Sequence, residues 1–464
     1  MKHKHISKII LSTLIALSIV SCDKRLDVKP KQSIDAATAL TTPADVESAI
    51  VGCYSVMGGG ALYGTNLLMV PELLAQEGYA SWRGTFTGLQ QAARKTMNRD
   101  NGEAARIWNA GYRAINLANS VVDALGIVTD PDQKTQLEGE ALFVRGIMHF
   151  ELVRLFALPW GATPGNTQPG VVIRTRATKT EADVFERTPR STVAEVYTAV
   201  ISDLTAAAAK MPEDNGTRAD RYTALAFLAK VYLQKGDFAN ARAAANEVIE
   251  SDKYEMNASV NAVFDNKNTD ESVWEIQQND QNNAGTSNDG MATFYGSLPG
   301  IGRADVRIVP AFLNTYPAGD LRAAQWYYVG TGARPGNIYT SKWKSFSQNL
   351  PVIRIAEMYL IRAETNIRLG GAVGDSPAND LAQIRNPVRT NLPVLLAPTL
   401  QDVLNERVYE LAFEGFRIHE VRRLQQTFTD GSATWAWNNN KLVFPIPQAE
   451  VQATEGVITQ NPGY

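Results

Sequence analysis

Along most of this chain the apolar positions recur at steps of three and four, the period of a helix that buries one face. Trp108, Tyr112, Ile115, Asn119 and Val122 share such a face. A turn at Thr129-Asp130-Pro131 follows, and Ala141, Val144, Met148, Leu152 and Leu155 mark a second helix between Leu137 and Leu158. Two helices joined by so short a connection predict an antiparallel pair. Ile355 to Gly370 repeats the pattern through Ala356, Tyr359, Ala363 and Ile367, with Leu381-Ala382-Gln383-Ile384 opening its partner. Thr399, with Asp402 three residues on, predicts a capped helix running towards Glu414.

The segment Tyr222 to Ser251 holds Leu225, Ala229, Tyr232, Gly236-Asp237-Phe238 and Ala241, a spacing of small and large residues similar to a tetratricopeptide repeat. In that reading Ala229 lets paired helices approach, Tyr232 fills the groove and Gly236 ends the first helix. The predicted fold class is mainly α: tetratricopeptide-like helical pairs with long irregular loops and a few short strands. The loops are expected at residues 58–100 and 251–350, which are rich in Gly, Asn, Thr and aromatics and lack a sustained period. Ser272-Val273-Trp274-Glu275-Ile276 reads as a strand within the second. Loops of this length are usually functional or disordered, and the aromatic content argues against disorder. Near the end, the prolines of Phe444-Pro445-Ile446-Pro447 forbid a central strand, and Asn461-Pro462-Gly463-Tyr464 suits a type II turn.

The first residues break the pattern. Met1 to Lys8 is basic, Ile9 to Val20 is apolar but too short to span a bilayer, and Ile19-Val20-Ser21-Cys22 resembles a bacterial lipobox. Residues 1–21 are therefore expected to be a lipoprotein signal peptide and Cys22 the acylated residue, with 22–464 a single domain. Acyl chains would anchor the protein without a spanning helix. Losing Lys2, Lys4 and Lys8 moves the net charge from −3 to −6. With basic residues dispersed, the positive field that neutralises phosphates is missing, which sets nucleic acid aside. Of four histidines only His149 and His419 lie in the body, and Cys53 remains as a lone thiol that reads as a small buried apolar group.

Several segments together resemble the SusD/RagB family of surface lipoproteins of Bacteroidetes. They are Ser21-Cys22-Asp23 with Leu26-Asp27-Val28-Lys29-Pro30, Gly139 to Arg145 through Phe150 to Phe156, and Gly170-Val171-Val172-Ile173. Pro351 to Glu357, Glu406-Arg407 through Glu410 to Arg417, Phe444 to Pro447 and Gln460 to Tyr464 complete the series in the family's order. The stretch 251–350 resembles it least. The resemblance implies an extracellular, lipid-anchored protein of the outer membrane that forms a lid over a SusC-like TonB-dependent transporter. Its repeats would pack on the barrel while opposite loops hold an oligosaccharide or, in a RagB-like alternative, a peptide. No catalysis and no cofactor are implied.

Sugar capture needs apolar faces for pyranose rings and amides or carboxylates for hydroxyls. Trp82, flanked by Tyr79, Arg83 and Phe86, is the first candidate, Tyr295 the second and Trp326 the third. Trp108, Trp274 and Trp343 fall in helix or strand context that predicts burial, whereas the alternation of Trp435 and Trp437 leaves one of them outward. Two further classes remain in view. A glycosidase would need two carboxylates flanking a cleft, but Glu410, Glu414 and Glu420 beside Arg417 and Arg422 read as ion pairs, and nucleophile elbow, zinc motif and phosphate loop are all missing. A tetratricopeptide scaffold binding only protein would show no affinity for free glycans. The acidic runs Asp265 to Glu271 and Asp280-Gln281-Asn282 lack EF-hand spacing and read as polar loop, so no metal is expected.

Overall fold

The computed structural model describes residues 40–464 except 77, 185 and 432. The expected signal peptide and Cys22 lie outside the described residues. Helix α1 (Pro43–Met57) shows how the pattern becomes structure. Thr42 caps it reciprocally with Asp45, Pro43 occupies its first turn, and Val46, Ile50, Cys53 and Met57 form its buried stripe. Next come α2 (Asn66–Leu74), α3 (Thr87–Arg94), α4 (Gly102–Ala124) and α5 (Pro131–Phe156). Then follow α6 (Val193–Lys210), α7 (Arg221–Lys235) and α8 (Phe238–Ile249). Further along come α9 (Ile355–Leu369), α10 (Pro377–Ile384), α11 (Leu400–Leu411) and α12 (Arg417–Arg423).

The long helices stack in a ladder. α1 packs on α4, α4 on α5, α5 on α6, α6 on α7, α7 on α8 and α8 on α9, which carries α10 and α11. Close approach follows from small residues at the crossings: a Cβ on Gly146 of α5 would stand 3.2 Å from both Asp203 and Leu204 of α6. Gly236 ends α7 in the left-handed conformation (φ 78°), as its place in the repeat predicts. The Thr399–Asp402 capping box of α11 is present. α5 is the central rod, with everything from Gly139 to Phe156 buried, and its charges are consequently paired. Arg145, for example, forms a fork on Asp203 at 2.8 and 2.7 Å.

Eight short strands are found among the described residues: β1 (Ala80–Trp82), β2 (Ser272–Ile276), β3 (Val306–Ile308), β4 (Tyr327–Val329), β5 (Ile338–Thr340), β6 (Leu350–Arg354), β7 (Phe428–Asp430) and β8 (Ala433–Trp435). β1, β3, β5 and β4 form an antiparallel sheet in that order, with Ala80 opposite Ile308 and Trp82 opposite Val306. β2 pairs with β6 through an irregular register around Trp274, and β7 with β8.

Two expectations need correction. Residues 58–100 are not an irregular loop, for they contain α2 and α3. Every residue of α2 is buried, so it carries no polar face and no amphipathic period to read. Trp435 and Trp437 are both half-buried rather than split between inside and outside. At the C-terminus, Gly463 adopts φ 93°, in line with the turn expected there. Asn461 donates at 2.7 Å to both Phe156 O and Phe444 O, tying the chain end to the foot of α5.

Candidate functional site

A cleft of about 510 Å³ opens where the end of α1 meets β2 and the loop that follows it. Tyr54 supplies part of its apolar floor. The phenol is fixed from below, donating to Glu140 at 2.8 Å and accepting from Ala219 N at 3.2 Å, so the ring cannot swing away. Ile276 and Ala284 extend this floor, and Val51, 52% exposed, stands at its edge. Beyond α1 the chain turns through Gly58-Gly59-Gly60, whose backbone forms one wall. Side chains there would clash: a Cβ on Gly58 would meet Ile276 at 3.2 Å, and one on Gly60 would overlap the Asp289 carboxylate.

The facing wall is built of amides. Gln277 is held by Asn268 and Asn349 at 2.7 and 2.9 Å, and Gln278 N donates to Asn349 at 2.9 Å. Asn279 folds the loop back by accepting from Gln281 N at 2.9 Å and Asn282 N at 2.8 Å, an Asx turn that exposes Asn282. Asn283 accepts from Thr286 N at 2.8 Å. Ser55, Thr217 and Asn282 line the opening, are exposed, and have side-chain polar atoms not engaged within the chain among the described residues. The two charged lining groups are both satisfied. Arg218 lies 3.4 Å from Glu140 and 3.5 Å from Glu47, and Glu275 accepts from Ser272, Asn349 and Asn268 N at 2.5, 2.8 and 2.9 Å. A rigid apolar floor under uncommitted hydroxyls and an amide can stack on a ring face and bond its hydroxyl edge.

None of the five aromatics expected at the site lines this cleft. Tyr79, Tyr295 and Trp326 are core residues. Tyr79 is 4% exposed, stacks on Phe413 at 4.4 Å and donates to buried Glu72. Tyr295 is fully buried with its ring 5.9 Å from Phe413, and Trp326 is fully buried with Nε1 donating to Val260 O at 3.0 Å beneath Lys342. The segments that carry them pack into the main hydrophobic core instead of standing out as loops. Trp82 and Phe86 are half-buried and meet across Phe294, at 5.8 and 5.5 Å, with Arg303 over Phe86. They form a separate aromatic ledge. The residues that sequence reasoning missed are Val51, Tyr54, Ser55 and the amide run from Gln277 to Asn283. That run was visible as a string of Gln and Asn, but its composition is also that of a solvated loop.

Glu410 and Glu414 are engaged in ion pairs. Glu410 is fully buried and accepts from Arg322, Arg354 and Arg389 at 2.7–3.0 Å, and Glu414 from Lys342 and Arg354 at 2.6–2.9 Å. The three guanidiniums hold the Glu410 carboxyl well below the usual carboxylate range despite its burial.

Stacked helices that hold a loop-walled cleft define a helical-scaffold binding protein. Residues 24–233 match a SusD-like family described as "Starch-binding associating with outer membrane", and residues 314–464 match the SusD family. The chain belongs to the SusD family. SusD-like protein P2 of Formosa agariphila is 25% identical over 97% of this chain and 98% of its own length. A SusD superfamily crystal structure from Bacteroides thetaiotaomicron superposes with a TM-score of 0.80 at 22% identity, covering 91% of this chain and 100% of that one. A laminarin-binding SusD-like protein gives 0.72 at 22% identity with the same coverage. At these identities the structural likeness establishes the fold. Among the described residues no helix is long and apolar enough to cross a membrane.

Proposed function

We propose that this protein captures an oligosaccharide at the cell surface and passes it to a SusC-like TonB-dependent transporter, while a lipid on Cys22 anchors it to the extracellular face of the outer membrane. The observation that carries the reading is the cleft: a fixed apolar floor bordered by uncommitted Ser55, Thr217 and Asn282. The laminarin-binding neighbour and the family's description support a glycan ligand, and the Ser21-Cys22 junction supports the anchor. Residues 22–464 act as one binding domain. Trp82 and Phe86 offer a second stacking ledge for a longer chain.

The test is calorimetric titration of the protein lacking residues 1–22 against a panel of neutral and acidic oligosaccharides and of peptides. Val51→Glu and Asn282→Ala should each weaken the ligand at least ~10-fold while leaving the melting temperature unchanged, since both positions are exposed. Trp82→Ala separates the ledge from the cleft: a loss of affinity confined to longer oligosaccharides places it at the end of the binding path. Saturable peptide binding without glycan binding would replace the oligosaccharide by a peptide. Affinity unmoved by both cleft substitutions would remove the site from the cleft.

A further inference from the structure

Arg422 is a buried cation without a carboxylate. It lies on α12, 1% exposed, and its Nη1 and Nη2 donate to two backbone carbonyls, Arg154 O and, at 2.6 Å, Leu442 O. Its Nε has no partner among the described residues. Other arginines buried to a similar depth are treated differently: Arg322, Arg354, Arg389 and Arg423 each meet a carboxylate within 3.0 Å.

Two more groups with unused nitrogens reach the same place. Arg154, in the last turn of α5, pairs with Glu151 through Nη2 but leaves Nε and Nη1 unpartnered. His419, one turn before Arg422 and 3% exposed, has neither ring nitrogen engaged. Arg154, His419 and Arg422 line one small cavity, about 10 Å³, together with Trp160, Tyr197 and Gln234. Two guanidiniums against the single carboxylate of Glu151 leave one positive charge uncompensated. Lys230 adds none, because it pairs with Glu357 at 3.4 Å. Burial, together with Arg154, Arg422 and Lys230, holds the His419 imidazole well below its usual range, so the ring is neutral and presents one N–H.

A buried charge without a compensating partner is costly, and it is relieved by a counter-ion. The cavity has room for one particle near the size of a water molecule, which excludes phosphate, sulfate and carboxylates. We propose that it is a binding site for a single halide ion of chloride size, held by Arg422 Nε, by Nε and Nη1 of Arg154 and by the N–H of His419. The ion neutralises the pocket and joins α12 to the foot of α5. It acts independently of the glycan cleft.

The test uses the protein lacking residues 1–22 in two measurements. Crystals soaked in sodium bromide are examined by anomalous scattering, and thermal unfolding is followed in chloride, bromide or glutamate at equal ionic strength. The expected results are an anomalous peak among the three side chains and a melting temperature about 3 °C higher in either halide than in glutamate. Arg422→Gln, which removes the uncompensated charge, and His419→Phe, which fills the space without a donor, should each abolish both signals. If Arg422→Gln does not fold, the wild-type peak and the His419→Phe comparison still decide. A water-sized peak without anomalous signal overturns the proposal. So does a bromide peak with unfolding indifferent to the anion, which would mean binding at soak concentration only.

Discussion

His149 shows how one side chain couples burial to pH. It sits on α5, 2% exposed, with Nδ1 2.9 Å from Arg145 O and Nε2 accepting from Arg174 N at 3.2 Å, so Nδ1 carries the proton. Burial, the leading cause, pushes the imidazole from 6.5 down to about 4. Its folded value lies below its unfolded one, so its contribution is complete above pH 6.5 and is lost as pH falls towards about 4, where the unfolded chain binds a proton that the folded chain does not. His419 shifts in the same direction. Urea unfolding should therefore show the wild type losing stability between pH 7.5 and 5, with His149→Gln losing about 2 kcal/mol less over that interval. An unchanged pH dependence in the variant would mean that the ring protonates in place. At this scale some side chains were legible and others were not. Cys53 is fully buried, as its isolation from other polar chemistry suggested, and burial pushes its thiol up to about 12. Tyr79, Tyr295 and Trp326 stand out in the sequence as sugar-site candidates, because an aromatic with a polar tip suits a sugar site or a core equally. What decided was the partner: Phe413 stacks on the Tyr79 ring and Val260 O takes the Trp326 indole, and both partners lie far away in sequence.

The helices were the most readable elements, because an amphipathic face and a cap are both local. α4, α5, α7, α8, α9 and α11 all cover segments in which the apolar period predicts them. α2 failed for the converse reason, since a helix buried on every side has no period. Packing between elements was only partly visible: the alanines at helix crossings stood out, whereas the need for glycine at 146 depends on how near α6 comes. Gly146→Val should separate α5 from α6 and cost about 1–3 kcal/mol, read as a lowered denaturation midpoint with little change in slope. Equal stability would show that α6 shifts freely to admit the side chain.

Over the whole molecule, segments far apart in the chain are held together by buried charge. Glu410 on α11 gathers Arg354 from β6, Arg389 from beyond α10, and Arg322 from ahead of β4, and Arg354 in turn reaches Glu271 beside β2. Glu410→Gln removes the anion shared by three guanidiniums and should cost about 3–5 kcal/mol, seen as a large fall in melting temperature with no selective loss at the cleft. A selective loss of ligand affinity at unchanged stability would instead make Glu410 part of the binding machinery. The sequence by itself determined the helical class, the family and the helix ends at Gly236 and Thr399, because period, caps and motif order are properties of neighbouring residues. Only the tertiary structure decided which aromatics are core, that the Gly58–Gly60 turn and the amide run after β2 face each other across a cleft, and that Arg422 lies buried without a carboxylate. Burial and juxtaposition depend on segments hundreds of residues apart, and no local pattern encodes the distance between them.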